Sequence, residues 1–236
     1  MSKLHYLPLT LPLFSLLIGV LLVLALLVQI RLLRYAYLRL GVSPGAAILL
    51  LFGSLCGSYI NIPVAYLPDE KLLSARQIDY FGMQYVVPMV VDWPGTVIAI
   101  NVGGAVIPIV LSLYLLTRNR LWLAGLVATA CVTYVCHRMA TPIPGFGIAV
   151  PIFIPPIAAA IVSCIVSWQY AAPLAYISGS LGTLIGADLM NLSKIRGLGA
   201  PIASIGGAGT FDGIFLAGIL AVLLASLVGG RAAERL

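Results

Sequence analysis

Seven apolar runs, roughly 8–30, 45–66, 95–117, 121–137, 147–168, 171–191 and 207–229, divide the sequence. Each is close to the ~20 residues that a helix needs to cross the hydrocarbon core of a bilayer. Inside a bilayer every backbone N–H and C=O must be satisfied within the chain, and runs of this length achieve that as α-helices. The sequence therefore predicts an all-α fold: a polytopic transmembrane helix bundle of about seven spans, one integral membrane domain over 1–236. Six to eight spans fit. The run 121–137 is short, and 139–156 carries Pro142, Pro144, Pro151, Pro155 and Pro156, which suit a kinked or re-entrant segment as well as a crossing.

Composition agrees. The chain is 61% hydrophobic and 8% charged, with a mean hydropathy of +1.11, where a soluble domain is roughly half apolar and about a quarter charged. Its net charge of +6 sits mostly between the apolar runs. It reads as topology-setting flanks rather than a nucleic-acid surface, so nucleic acid is excluded as a partner. The partners expected are membrane lipids and a membrane protein or peptide substrate. No cofactor is indicated. Cys56, Cys131, Cys136 and Cys164 all fall inside apolar runs, as buried free thiols do, and Cys131, Cys136 and His137 lack the second ligand pair of a metal site.

The first run has no small-residue cleavage site and reads as a retained helix. With the N-terminus outside, Arg31, Arg34, Arg39, Arg118, Arg120, Arg231 and Arg235 fall inside, against Lys3, Lys71, Arg76, Arg138, Lys194 and Arg196 outside. The short first connection, with three Arg and no acid, favours that orientation. The long connection 67–94 contains two β-prone runs about Gly82, ending at Pro88. A small surface hairpin at 78–88 fits it, and so does an aromatic-rich loop at headgroup level.

Two segments share a pattern: Asn101-Val102-Gly103-Gly104-Ala105 and Ser204-Ile205-Gly206-Gly207-Ala208. Parallel duplicated halves would produce it, and so would close packing through paired Gly.

Carboxylates inside spans cost roughly 2.5–3.5 kcal/mol on insertion scales, which makes Asp188 and Asp212 the functional candidates. A helical hairpin turning at Ala200 would bring both to similar depth. Two carboxylates at short range in a poorly solvated site share a proton, so one acts as acid and the other as base, the chemistry of an aspartyl protease. In that reading Asp188 and Asp212 are catalytic, and Asn101, Gly103, Gly104, Asn191, Gly207, Gly209 and Gly213 bind substrate; no residue is assigned to a metal. The alternative is that each Asp caps a helix end or a broken turn, or pairs with Arg138, Lys194 or Arg196. Asn61, Asn101, Asn191 and Tyr59 also suit a carrier site built from discontinuous helices, with the acids carrying protons.

Four motifs carry a resemblance: Gly57-Ser58-Tyr59-Ile60-Asn61-Ile62-Pro63, Asn101–Ala105, Gly182-Thr183-Leu184-Ile185-Gly186-Ala187-Asp188 and Ser204–Gly213. They resemble an uncharacterised family of prokaryotic membrane proteins, which implies a cytoplasmic (inner) membrane location and no particular activity. A more distant likeness is to presenilin and signal-peptide-peptidase-type intramembrane aspartyl proteases, with one catalytic Asp on each of two consecutive helices. Asp188 and Asp212 would be those residues. Here Gly207-Ala208-Gly209 is followed by Thr210-Phe211 before Asp212, where that family has Gly-x-Gly-Asp, and no Pro-Ala-Leu motif follows.

Overall fold

The structure, a computed structural model, describes residues 27–68, 70–80, 83–93, 95–143, 147–196, 198–207 and 213–228. Among them are seven α-helices. Helix α1 covers Leu27–Arg39, and α2, Pro44–Gly57, leaves it at a bend of 119°. Gly41, at φ +74°, follows the end of α1, and Ser43 opens α2: its side chain accepts from Ala46 N–H, and Pro44 supplies a preset φ at the first helical position. Most of the expected first helix, 8–30, lies outside the described residues. The basic connection expected after it is helical as far as Arg39.

Strand β1, Asn61–Leu67, follows α2 and runs antiparallel to β4, Thr96–Asn101. Between them β2, Glu70–Tyr80, and β3, Met83–Trp93, pair in unbroken register from Glu70 opposite Trp93 to Tyr80 opposite Met83. A hairpin as expected at 78–88 is therefore present, and more than twice as long. Strand β4 passes through a π-helical turn, Val102–Val106, into α3, Ile107–Asn119. Helix α4, Trp122–Met139, leads to a short hairpin of β5, Thr141–Ile143, and β6, Gly147–Ala149. Helix α5, Ile154–Val166, holds Pro155 and Pro156 in its first turn, where their missing N–H groups break no ladder. Helix α6, Ala171–Thr183, runs on through a second π-helical turn, Leu184–Asp188, and a 3-10 helix, Leu189–Lys194. Strand β7, Ile202–Ile205, lies parallel to β4, giving the sheet order β1-β4-β7, and α7, Gly213–Val228, follows.

The all-α expectation is corrected by this sheet and the hairpins, although the fold is mostly helical. Three expected spans divide. The run 45–66 is helix only to Gly57 and then β1; 95–117 opens with β4; 147–168 opens with β6. Short apolar runs carry no periodicity that separates a buried strand from a helix, which is why they merged. Of the described helices only Val102–Asn119 is by itself long and apolar enough to cross a membrane; the bent pair α1–α2 passes the same test jointly.

Helix α6 is the centre of the bundle, with eleven of its thirteen residues buried and with α3, α4, α5 and α7 packed around it. Small residues allow the approach. A side chain on Gly179 would meet Ala217 O and Ala221 of α7, and one on Gly182 or Gly186 would strike α4 at Val132, Thr133 or Cys136. The main core joins Tyr37, Leu51, Leu115, Leu174, Tyr176, Ile177 and Ile219.

Candidate functional site: a cleft beside the sheet edge

The sheet is fixed at one end by amide side chains. Asn101 is fully buried, and its Oδ1 accepts from Gly104 N–H at 2.8 Å, capping the π-helical turn that starts α3. Its Nδ2 donates to Ser58 O at 2.7 Å and to Asn61 Oδ1 at 3.1 Å. Asn61 Oδ1 also accepts from the Ser204 hydroxyl at 2.6 Å. One short chain of hydrogen bonds thus ties the end of α2, β1, β4 and β7 together. Gly103 and Gly104 sit where the π-helical turn meets α2: a side chain on Gly103 would collide with Ser54 O and Ser58 N.

Asp188 ends the π-helical turn that continues α6. A carboxylate at a helix C-terminus faces the negative end of the dipole and needs a donor. Gly206 N–H supplies it, donating to Asp188 Oδ2 at 2.8 Å. Gly206 and Gly207 have φ of +92° and +89°, a left-handed pair that lets the chain leave β7 and present this N–H. Asn191, also fully buried, donates through Nδ2 to Gly186 O and Ala187 O, both at 2.9 Å. These carbonyls belong to the π-helical turn, so Asn191 repairs the break in the helical ladder beside Asp188. Its Oδ1 is buried without a hydrogen-bond partner among the described residues.

Asp188 lines a cleft of about 500 Å³ together with Thr183, Ser204, Gly207, Gly213 and residues 147–150 around β6. A side chain on Gly213 would meet open space, in keeping with a place on the cleft wall. Of the residues expected in a site, the structure brings Asp188, Gly207 and Gly213 to one cavity. Asp212 and Gly209 lie outside the described residues. Asn101, Gly103, Gly104 and Asn191 are not on the cleft wall; Asn101 and the Nδ2 of Asn191 bind neighbouring backbone, and Gly103 packs against that of α2. Gly186 packs against α4, at Thr133, Cys136 and His137. Sequence reasoning missed Thr183 and gave Ser204 no role, although both lie inside the quoted motifs.

The two Gly-Gly segments do follow parallel neighbouring strands. They are not equivalent: Ser204 pairs with Ala99 rather than Asn101, and Gly206 packs against Gly104 and Ala105. Among the described residues no group of three or more His, Cys, Asp or Glu is placed to hold a metal ion.

Fold and site together define a mostly helical protein with a carboxylate-bearing cleft at the edge of a small mixed sheet. The chain belongs to the DUF1614 family, a protein family of unknown function, which it matches over residues 55–224. No curated protein and no solved structure matches it.

Proposed function

We propose that this chain is an integral protein of a prokaryotic cytoplasmic membrane, a single domain of about seven spans, and that Asp188 and Asp212 form an aspartyl-protease-type site acting on a membrane protein or peptide. Support for the membrane comes from helices that turn large apolar side chains outward, among them Leu123 at 76% exposure, Leu126, Ile161 and Ile165. Support for the site comes from one observation: Asp188 and Gly213 line the same cleft, and Asp212 is the residue bonded to Gly213. In this reading one aspartate activates a water and the other protonates the departing amine. Replacing either Asp by Asn abolishes cleavage of a membrane substrate by the reconstituted protein while the fold persists. Cleavage at the normal rate by either variant would exclude the dyad.

A second reading, a proton-coupled carrier, is favoured by the way α6 breaks beside Asp188 into π-helical and 3-10 turns, since discontinuous helices form midspan sites in transporters. It requires pH-gradient-dependent flux in proteoliposomes. An assembly subunit without chemistry would keep full cellular function with both Asn variants.

A further inference from the structure

Helix α6 ends at the Asp188 cleft and begins, at Ala171, on a separate and larger cavity of about 1280 Å³. Pro173 of α6 lies in the wall of the larger cavity and Thr183 in the wall of the cleft, ten positions or about 15 Å apart along the axis. The second cavity is a groove running along α3 from Val106 to Arg118, about 18 Å, or a little more than one leaflet of that core. Its lining joins apolar side chains such as Leu49, Leu50 and Val110 with Arg39, Arg118, Asn119, Trp168 and Gln169.

The two arginines are held and yet unneutralised. Arg39 Nε donates to Tyr35 OH at 2.7 Å, with the guanidinium 5.1 Å from the ring centre. Arg118 Nη1 donates to Gly41 O at 2.8 Å and to Tyr114 OH at 2.7 Å. Neither meets a carboxylate among the described residues, and none of the described residues lining the groove is acidic. Both guanidiniums thus keep free N–H groups in the fork geometry that suits a phosphate. Ser226 Oγ, on the same wall, is buried with no partner among the described residues.

Two unneutralised arginines beside apolar side chains, along a groove about one leaflet long, suit an amphiphile with an anionic head. We infer that this groove binds an anionic phospholipid, its phosphate between Arg39 and Arg118 and an acyl chain along α3. Trp168, on the same lining and 54% exposed, suits the headgroup level, where Trp is enriched, and anionic lipid is the partner such basic pockets select. The inference rests on the membrane reading above. Recovery of the chain from the aqueous fraction of disrupted cells would remove that reading, whereas a membrane-extracted chain indifferent to lipid charge would remove only this one.

The test uses the full chain in detergent, titrated separately with phosphatidylglycerol, phosphatidylcholine and inorganic phosphate while the thermal midpoint is followed. Phosphatidylglycerol should raise the midpoint saturably, and the other two should not. Arg39→Gln should weaken that response roughly tenfold, the loss of one charge-assisted contact. Val110→Trp, which fills the groove and leaves both arginines in place, should abolish it. Equal responses to phosphatidylcholine would overturn the charge argument. An equal response to inorganic phosphate would leave a small-anion site and no lipid site. Should Arg39→Gln not fold, the headgroup comparison and Val110→Trp decide alone, and an unaltered response in Val110→Trp overturns the inference.

Discussion

Gly206 and Ala105 pack so closely that a Cβ on Gly206 would lie 2.7 Å from the Ala105 Cβ and the same distance from its N. This contact joins the turn after β7 to the π-helical turn after β4, and it sets the position of the N–H that Asp188 accepts. Gly206→Ala meets two obstacles, the neighbouring backbone and a φ of +92°, and should destabilise the protein by about 2–4 kcal/mol. Gly45→Ala, in open space within α2, is the control and should be neutral or stabilising by up to about 1 kcal/mol. Unfolding of the detergent-solubilised variants compares them directly, and equal stability of the two would refute the packing argument.

Asn101 offers a sharper contrast between capping and binding. Asn101→Ala strands Ser58 O and Gly104 N–H in the interior, at about 1–3 kcal/mol for each unsatisfied group. Asn101→Asp should be worse, because it turns a carboxylate oxygen toward Ser58 O and Asn61 Oδ1, which now receive the amide's protons. A substrate-binding role alone would leave stability untouched in both. Urea or thermal unfolding, with no substrate present, distinguishes them.

At Asp188 the amide substitution should behave in the opposite way. An Asn side chain there keeps an oxygen for Gly206 N–H, so Asp188→Asn should lie within about 1 kcal/mol of the parent, whereas Asp188→Leu leaves that donor unsatisfied and should lose about 1–3 kcal/mol. The pair separates chemistry from architecture. Activity lost in Asp188→Asn with stability retained assigns the carboxylate a chemical role; activity retained assigns it the cap alone.

Strands β2 and β3 form a two-stranded sheet with each other. Because Leu67 and Thr96 already face one another across β1 and β4, replacing 68–95 by Asn-Gly should close a tight hairpin with little change in stability, within about 1 kcal/mol. Circular dichroism and thermal unfolding of the shortened chain test this. Loss of folding would mean the long hairpin supports the rest of the protein.

Much of the helical core was legible because it depends on run length: α4 and α6 fall close to the apolar runs at 121–137 and 171–191. The sheet was not, and β1 shows why. Asn61–Leu67 continues the hydrophobicity of α2, and only Gly57 and Pro63 mark the change, the latter beside a register shift in the β1–β4 ladder where an edge strand accepts proline. Asp188 could be found from the cost of a carboxylate in an apolar run. The work of Asn101 and Asn191 could not, since whether an amide caps backbone or faces a ligand depends on neighbours distant in sequence, such as Ser58 for Asn101.

Thr96 Oγ1 reaches Ala200 O at 2.8 Å across 104 residues, just ahead of the ladder between β4 and β7. During synthesis β4 is therefore complete long before its partner exists, and its outer edge must wait through the making of α3, α4, α5 and α6. Such an open edge is prone to pairing with foreign strands, and joining ends so far apart is a late, entropically costly step. Ile202–Ile205 acts as a clasp that closes only after α6 has been made, so a chain arrested before Pro201 would carry six of the seven described helices and leave the outer edge of β4 unpaired.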